Sequence, residues 1–419
     1  MKENNGDTMK FVENIEKEEY EEFVKNHEKS HFLQSYMWGE FAKDAKKMNP
    51  YYVGLINDDN RLVATCLLLE KKLLFGYSYF YAPRGYVVDF NNFELIKELT
   101  LNISKFIKQK KGIFFKIDPD IKLHTIDKNA NVIDGENNYI IVENLKKIGF
   151  KQLPLTYFFE SEQPRFTFRI NLKDKSIDEV RKNYSKTANR FIKKAEEYDI
   201  NVKIGTAKDV KAFSKLMDMT EKRQNFFSHD EEYYQKFYKH FSINNNVDIM
   251  MATVDIKNTI KKIEQSIKAI ENSKEINEIT LNRKQQELEF FKQKEALNNP
   301  LVSSYFTVYY GNKAWYLYGA NDMDYKMTYS NYKLFDYQIS QSVKRKKEIF
   351  DEFGTIGYPN STKKVAGLHE FKKKFGGEYT EFIGEFDFVV NKTMYFLFIK
   401  LIPLYRKMIR LLLKRKKRD

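Results

Sequence analysis

Residues Ile256–Glu271 read IKNTIKKIEQSIKAIE, with isoleucines at 256, 260, 263, 267 and 270 in steps of four and three. That spacing is the seam of a two-stranded coiled coil, a helix with one apolar edge. A polar run around Asn272, Ser273 and Lys274 interrupts it, and a second helical stretch follows through Leu281, Leu288 and Phe291. Two such helices joined by a short turn predict an antiparallel hairpin over 256–298, the first helix about 24 Å long at about 1.5 Å per residue. The β-branched and aromatic runs on either side, Val247–Val254 and 302–310, read as strands. The hairpin is therefore an insertion into a sheet domain. It carries nine bases, seven acids and little apolar surface, so it is expected to reach away from its own domain. The competing reading is a solvated link between strands.

Outward from the hairpin, the second half of the chain predicts a strand at 166–172, a basic helical region at 177–198 and a strand at 201–205. Helices at 208–223 and 231–241 follow, then the strand pair, then strand, helix and strand at 314–320, 331–347 and 348–356. The first half opens with a helical stretch to Lys47 and predicts strands at 51–56 and 61–70, joined by the turn Asn57-Asp58-Asp59-Asn60. A strand at 73–81, a helix at 95–109, a strand at 112–118, a helix at 142–148 and an extended segment at 157–160 complete it. Both halves follow one α/β plan by order of elements, and 419 residues suffice for two such domains. The expected boundaries are 1–162, 163–391 and a tail at 392–419.

Lys plus Arg exceed Asp plus Glu by 14, which favours polyanions: nucleic acid, anionic lipid or phosphorylated substrates. The single cysteine, Cys66, stands in an apolar run and reads as a core residue. One cysteine excludes an intrachain disulfide and suits a reducing cytoplasm. The first 22 residues are acidic and polar, unlike a signal peptide, and Met9 is a second candidate start with disorder expected before it. From 392 to 419 there are ten bases and one acid, interleaved with Tyr395, Phe396, Phe398, Leu401, Leu404 and Met408 among other apolar residues. The longest apolar run there, 394–399, is six residues, far short of the about 20 needed to span a bilayer. Such a segment suits an anionic membrane surface. The plain alternative is a terminal helix docked on the protein with a solvated basic end.

The six histidines have no metal-ligand spacing, so no metal is expected. Neither a phosphate loop, a dinucleotide fingerprint nor a nucleophile elbow occurs, and no cofactor is implied. An enzyme of this composition has to work by positioning and electrostatics, as in transfer of an activated acyl group to an amine. Four stretches offer parts of such a site. In 315–321, Tyr316 and Tyr318 are expected on one face of a strand end. In 367–377, Phe371 and Lys372 precede a glycine pair. The run 220–223 with Tyr233 and Tyr234 offers a phosphate clamp, and 34–43 offers another base. Each has a plain structural alternative: half-buried strand tyrosines, or a solvated lysine face at 372–374.

Several segments in this order and spacing resemble the FemABX family of tRNA-dependent peptidoglycan interpeptide-bridge aminoacyltransferases. They are Phe32-Leu33-Gln34-Ser35 with Trp38, Lys116-Ile117-Asp118-Pro119, 189–195, 316–320, and 368–376 with 379–387. The resemblance implies an α/β (α+β) fold of two tandem GNAT-like acyltransferase domains, with an antiparallel coiled-coil arm inserted in the second. It implies aminoacyl-tRNA as donor and a peptidoglycan precursor, lipid II or UDP-MurNAc-pentapeptide, as acceptor. Lys43 and Arg223 would then hold precursor phosphates, and Asp118, Tyr316 and Tyr318 would line the stem-peptide groove. Phe371 and Lys372 would sit at the acyl ester, with Lys372 steadying the oxyanion. Asp118 is a candidate general base, in competition with proton transfer through the tRNA ribose hydroxyl. Charge distribution favours the basic helix, with Arg181, Lys186, Arg190, Lys193 and Lys194, as the tRNA contact. The tail would hold a cytoplasmic enzyme at the inner membrane face, alone or as a homo- or hetero-oligomer with paralogues. Two readings compete: a transferase acting on another amine, and a non-catalytic paralogue that holds a partner at the membrane.

Overall fold

The computed structural model describes residues 9–224, 228–358, 361 and 365–401. They form two compact units: up to 125, 132–165 and from 381 on in the first, 126–131 and 166–380 in the second. Residues 1–8 and the tail beyond Leu401 lie outside the described residues.

In the first unit the strands lie in the order Lys10–Val12, Asn49–Ile56, Leu62–Lys72, Ser78–Ala82, Gly112–Ile117, Phe386–Val389, Phe150–Gln152. Only Ser78–Ala82 and Gly112–Ile117 run parallel, and a parallel pair needs a crossover. Helix Phe93–Gln109 supplies it. Asn92 caps the helix by accepting from the Leu95 amide, and Leu95, Leu99, Ile103 and Phe106 are buried at helical spacing. They join Val53, Cys66, Phe80 and Phe115 in one core, so Cys66 is a core residue. The glutamate-rich N-terminal segment, polar by composition, forms helix Lys17–Asn26, with Tyr20 and Val24 buried beneath the acids.

Three expectations change here. The apolar run 73–81 becomes a strand only from Ser78, because a 3-10 turn occupies Leu74–Gly76. Residues 157–160 form no strand, and the Glu160 carboxylate accepts from the Phe158 amide instead. The chain also returns to the first unit at Glu381 rather than staying in the second to 391. Phe386–Val389 pairs antiparallel with both Gly112–Ile117 and Phe150–Gln152, and Phe386 and Phe388 pack on Phe150. A helix then runs from Lys392 to Leu401, where the description ends. Its start is docked: Tyr395 and Phe398 pack on Phe114, and the Tyr395 hydroxyl donates to Asp387 at 2.8 Å.

In the second unit Ile200–Ile204, Val247–Val254, Leu301–Tyr310, Lys313–Asn321, Ile349–Thr355 and Phe166–Asn171 lie side by side in that order. Lys313–Asn321 and Ile349–Thr355 are parallel, linked by helix Ser330–Lys344. That helix covers one face, with Phe335 against Tyr305, Tyr316 and Phe350. Helices Val210–Gln224 and Glu231–Ser242 cover the other, with Phe213 and Phe237 against Phe306. The basic region divides into Ile177–Arg181 and Lys186–Glu197, capped by Ser176 and Ser185.

Helices Ile256–Glu271 and Glu278–Gln293 form the inserted hairpin, capped by Asp255 and Asn277. The isoleucine edge meets the second helix of the hairpin, as the spacing predicts, but it also joins the core of its own unit, where little apolar contact was expected. Ile256, Ile260, Ile263, Ile267 and Phe291 are buried in one core with Ala195 and Tyr198. Polar contacts fasten the same edge: Thr259 Oγ1 donates to the Tyr198 carbonyl, and Lys262 meets Asp199 at 2.6 Å. Ala195 of helix Lys186–Glu197 and the following Tyr198 share that core with the isoleucines, a long-range contact that local periodicity cannot reveal.

Candidate functional site

Strand Ile349–Thr355 loses register with Phe166–Asn171 between Asp351 and Gly354, and Phe353 takes a left-handed φ of 57°. A bulge of this kind re-aims the backbone. Here it brings the carbonyls of Glu352, Phe353 and Gly354 to one point, where Lys372 Nζ donates to them at 2.5, 3.1 and 2.8 Å. Three donors to three acceptors use the whole capacity of an ammonium group. Lys372 ends helix Ala366–Lys372 and is 2% exposed. His369, one turn earlier, ties that helix to the strand through a 3.0 Å bond between Nδ1 and Thr355 Oγ1.

Burial pushes the Lys372 amine down to about 8, against the pull of Glu352 and then Asp351. Asp351 is itself engaged, accepting from Thr167 Oγ1, Arg169 Nε and the Phe353 amide. Glu352, on the same strand, is fully buried, and neither carboxyl oxygen has a hydrogen-bond partner among the described residues. Burial drives its carboxyl well above the usual range, and Lys372 opposes that. The site thus pairs a caged cation with a buried acid. The sequence reading missed Glu352; an acid pair inside the strand IFDEFGT was the available signal.

The Tyr316 ring centroid lies 5.2 Å from Lys372 Nζ. Phe335 stands between Tyr316 and Phe371, 5.2 Å from each, and Phe371 also meets Tyr332 and Phe375. Lys372, Phe371 and Tyr316 are therefore brought together. Tyr318 is not. Leu301–Tyr310 pairs Phe306 with Tyr318 but Thr307 with Tyr316, so Leu317 is an extra residue in a bulge. The extra residue reverses the side-chain alternation, and the two tyrosines lie on opposite faces rather than the expected single face. Tyr318 instead joins the other helix layer, its hydroxyl 2.9 Å from that of Tyr233, beside Tyr234 and Phe237.

Gly319 makes the Tyr316 position available, because a Cβ there would lie 1.9 Å from the Tyr316 hydroxyl. Gly319→Ala is expected to displace that ring and cost about 1–3 kcal/mol. Thermal melting measures the loss, and an unchanged melting temperature would show that the ring has room to move.

Arg223 is exposed at the end of helix Val210–Gln224 and donates to the Asn321 carbonyl at 3.1 Å. Its proposed companion Thr220 is engaged within the helix with the Leu216 carbonyl. On helix Lys186–Glu197, Lys186, Arg190 and Lys193 are exposed in steps of four and three, a single stripe. Lys194 is half-buried over Tyr329. Arg181 differs: its guanidinium grips Asp336 with two bonds of 2.9 and 2.7 Å and also meets Asp178. Its charge is thus neutralised within the unit.

In the first unit Asp118 follows strand Gly112–Ile117 and is buried, accepting from Tyr81 Oη at 2.7 Å and the Arg84 amide at 2.6 Å. Burial pushes its carboxyl up to about 7, held back by Arg84 and the Tyr81 hydroxyl. A cavity of about 10 Å³, room for one water, opens beside it between Arg84, Gln163 and Arg165. Lys43 is exposed on helix Tyr36–Lys46. One turn on, Lys46 covers the Trp38 ring at 4.5 Å, and burial lowers its amine to about 8 against the pull of Glu162. The 32–38 segment is a structural clamp. Ser35 caps the helix, and the Gln34 amide joins the Pro83 carbonyl to the Leu67 amide.

Among the described residues no group of His, Cys, Asp and Glu could hold a metal ion. No helix there is long and apolar enough to cross a membrane.

A family model described as the FemAB family matches residues 15–401. A lipid II:glycine glycyltransferase of Staphylococcus epidermidis is 26% identical over 413 residues, covering 93% of this chain and 95% of that protein. An aminoacyltransferase FemA of the same species is 25% identical over 416 residues, covering 92% and 97%. The crystal structure of FemX superposes with a TM-score of 0.75 at 24% identity, over 93% of this chain and 99% of that one. That likeness gives the fold.

Proposed function

The chain belongs to the FemAB family, and from that premise we propose that it moves an amino acid from aminoacyl-tRNA to the stem-peptide amine of a peptidoglycan precursor. The acceptor we favour is lipid II, ahead of its UDP-linked counterpart, and the product is an interpeptide bridge. The names of relatives similar over nearly their whole length support this reading. The observation that carries it is Lys372, a buried cation fixed on three carbonyls. A preorganised charge of this kind does its work where negative charge develops in the transition state.

In the reaction the stem-peptide amine attacks the ester carbon of the charged tRNA. The C–N bond forms, the carbonyl oxygen becomes an oxyanion, and the ester C–O bond then breaks to release the ribose hydroxyl. Lys372 steadies the oxyanion, and Phe371 packs beside the ester. The amine proton passes to the departing ribose oxygen either through the neighbouring ribose hydroxyl or by way of Asp118, whose carboxyl near 7 suits a base at neutral pH. Tyr316, on the Lys372 face, lines the acceptor peptide. Tyr318, on the opposite face, takes no part at Lys372 and holds its strand to the other helix layer through Tyr233, and Lys43 and Arg223 hold precursor phosphates. Lys186, Arg190, Lys193 and Lys194 meet the tRNA; Arg181 supports their helix through Asp336. The enzyme works in the cytoplasm, and its basic tail holds it at the inner membrane face.

Labelled aminoacyl-tRNAs, offered one amino acid at a time with lipid II, test the whole reading. Label should move to the precursor from at least one of them. If none moves, to lipid II or to the UDP-linked acceptor, the reading is wrong. In the same assay, replacing Lys186, Arg190 and Lys193 by Ala should raise the KM for tRNA roughly tenfold or more and flatten its salt dependence by about three charges. A salt slope equal to that of the unmodified protein would place the tRNA elsewhere.

A further inference from the structure

The first unit exposes apolar side chains that none of its cores uses. Between strands Leu62–Lys72 and Ser78–Ala82, Leu74 is 79% and Phe75 89% exposed. Backbone bonds close this turn, with the Leu73 amide donating to Tyr77 O and the Tyr77 amide to Leu74 O. Phe75 takes a left-handed φ of 60°, which a bulky L residue rarely adopts. Beside it lies an open cleft of about 470 Å³ lined by Phe75, Tyr77, Lys108, Lys111, Val390 and Lys392, with no acid in its wall. The three lysines are exposed, and none has an ion pair among the described residues. Lys392 opens the helix that runs to Leu401. Tyr395 and Phe398 fix one side of that helix to the unit, while Phe396, Leu397, Ile399 and Leu401 remain exposed.

Apolar tips beside unpaired lysines are the chemistry of a bilayer interface, where the tips enter the acyl boundary and the cations meet phosphates. We propose that this face of the first unit docks on an anionic phospholipid surface, with Leu74 and Phe75 inserted and Lys108, Lys111 and Lys392 on the headgroups. Charge complementarity selects that occupant. Nucleic acid also attracts lysines, and Phe75 and Phe396 offer stacking planes, but the aliphatic side chains that make up most of the face, Leu74, Leu397, Ile399 and Leu401, offer bases neither a plane nor a hydrogen bond. The docking face lies within the described fold and makes no use of the tail beyond Leu401. It is also independent of the transfer reaction, so either idea can fail alone.

Phe75→Trp in the full chain is the test, since both native tryptophans, Trp38 and Trp315, are buried. Emission from position 75 should shift to shorter wavelength and resist an aqueous quencher with phosphatidylglycerol vesicles, and should do neither with phosphatidylcholine alone. Leu74→Ser with Phe75→Ser should lower partitioning onto the anionic vesicles about tenfold or more. Lys108→Gln with Lys111→Gln should lower it further, about fivefold for each lysine. An emission spectrum unmoved by vesicles overturns the proposal, including the case in which the protein binds them through its tail alone. A shift produced by tRNA without lipid, or by raising protein concentration alone, overturns it as well.

Discussion

Lys372→Met is expected to lower kcat for aminoacyl transfer by roughly 10²- to 10³-fold, the usual loss when one preorganised oxyanion partner is removed. All three Nζ protons are held by carbonyls in the described fold, so the lysine acts chiefly through its field. A unit charge about 4 Å from an oxyanion is worth about 4 kcal/mol at an effective dielectric near 20, enough for a loss of that size. The fold should survive the change. The amine lies near 8 in the native protein and at its ordinary 10.5 when unfolded. Between those values the unfolded chain binds more protons, so stability rises with pH across that window, and below about pH 8 the buried charge costs the fold about 3 kcal/mol. Methionine removes that cost but leaves three carbonyls without a donor, which offsets much of the gain. Thermal melting should therefore change little while transfer is lost. A Lys372→Met protein with undiminished kcat would take Lys372 out of the mechanism.

The second large effect is in the pH profile. Asp118 acts as a base only when ionised, above about 7. Lys372 carries its charge only below about 8. If both take part, kcat/KM rises through the first value, falls through the second and has a narrow maximum between them. Asp118→Asn then removes the acid limb and slows transfer by roughly 10²- to 10⁴-fold, while Lys372→Met removes the alkaline limb. If the ribose hydroxyl carries the amine proton instead, the unmodified enzyme shows no limb near 7 that depends on Asp118, and Asp118→Asn stays within a few-fold of it with the same pH profile. Measuring kcat/KM for the three proteins between pH 5.5 and about 9.5 decides between the two routes.

Much of the architecture could be read from local pattern. The isoleucine steps predict helix Ile256–Glu271, and the β-branched runs predict the strands on either side. Other elements carry weaker signals. Strand Val132–Asn137 is exposed along its length and contains Gly135 at φ 149°, so it shows no alternation. Of the proposed site residues, Lys372, Phe371 and Tyr316 were legible from a resemblance across several short motifs. Glu352 and Lys46 belong to no such motif, and burial is what marks them.

The amino-acid order by itself determined the hairpin helices, the strands on either side of them and the family, because side-chain period, capping residues and motif spacing are properties of neighbours along the chain. Tertiary structure alone decided that Tyr316 and Tyr318 face opposite ways, since the bulge at Leu317 exists only against Leu301–Tyr310. It also decided that the hairpin's isoleucines close onto their own unit, and that residues 386–389 complete the first unit's sheet. The Lys372 cage likewise required Ile349–Thr355 to slip against Phe166–Asn171. Each of these outcomes depends on hydrogen bonds or packing between residues far apart in sequence, and the local pattern carries no record of such pairings.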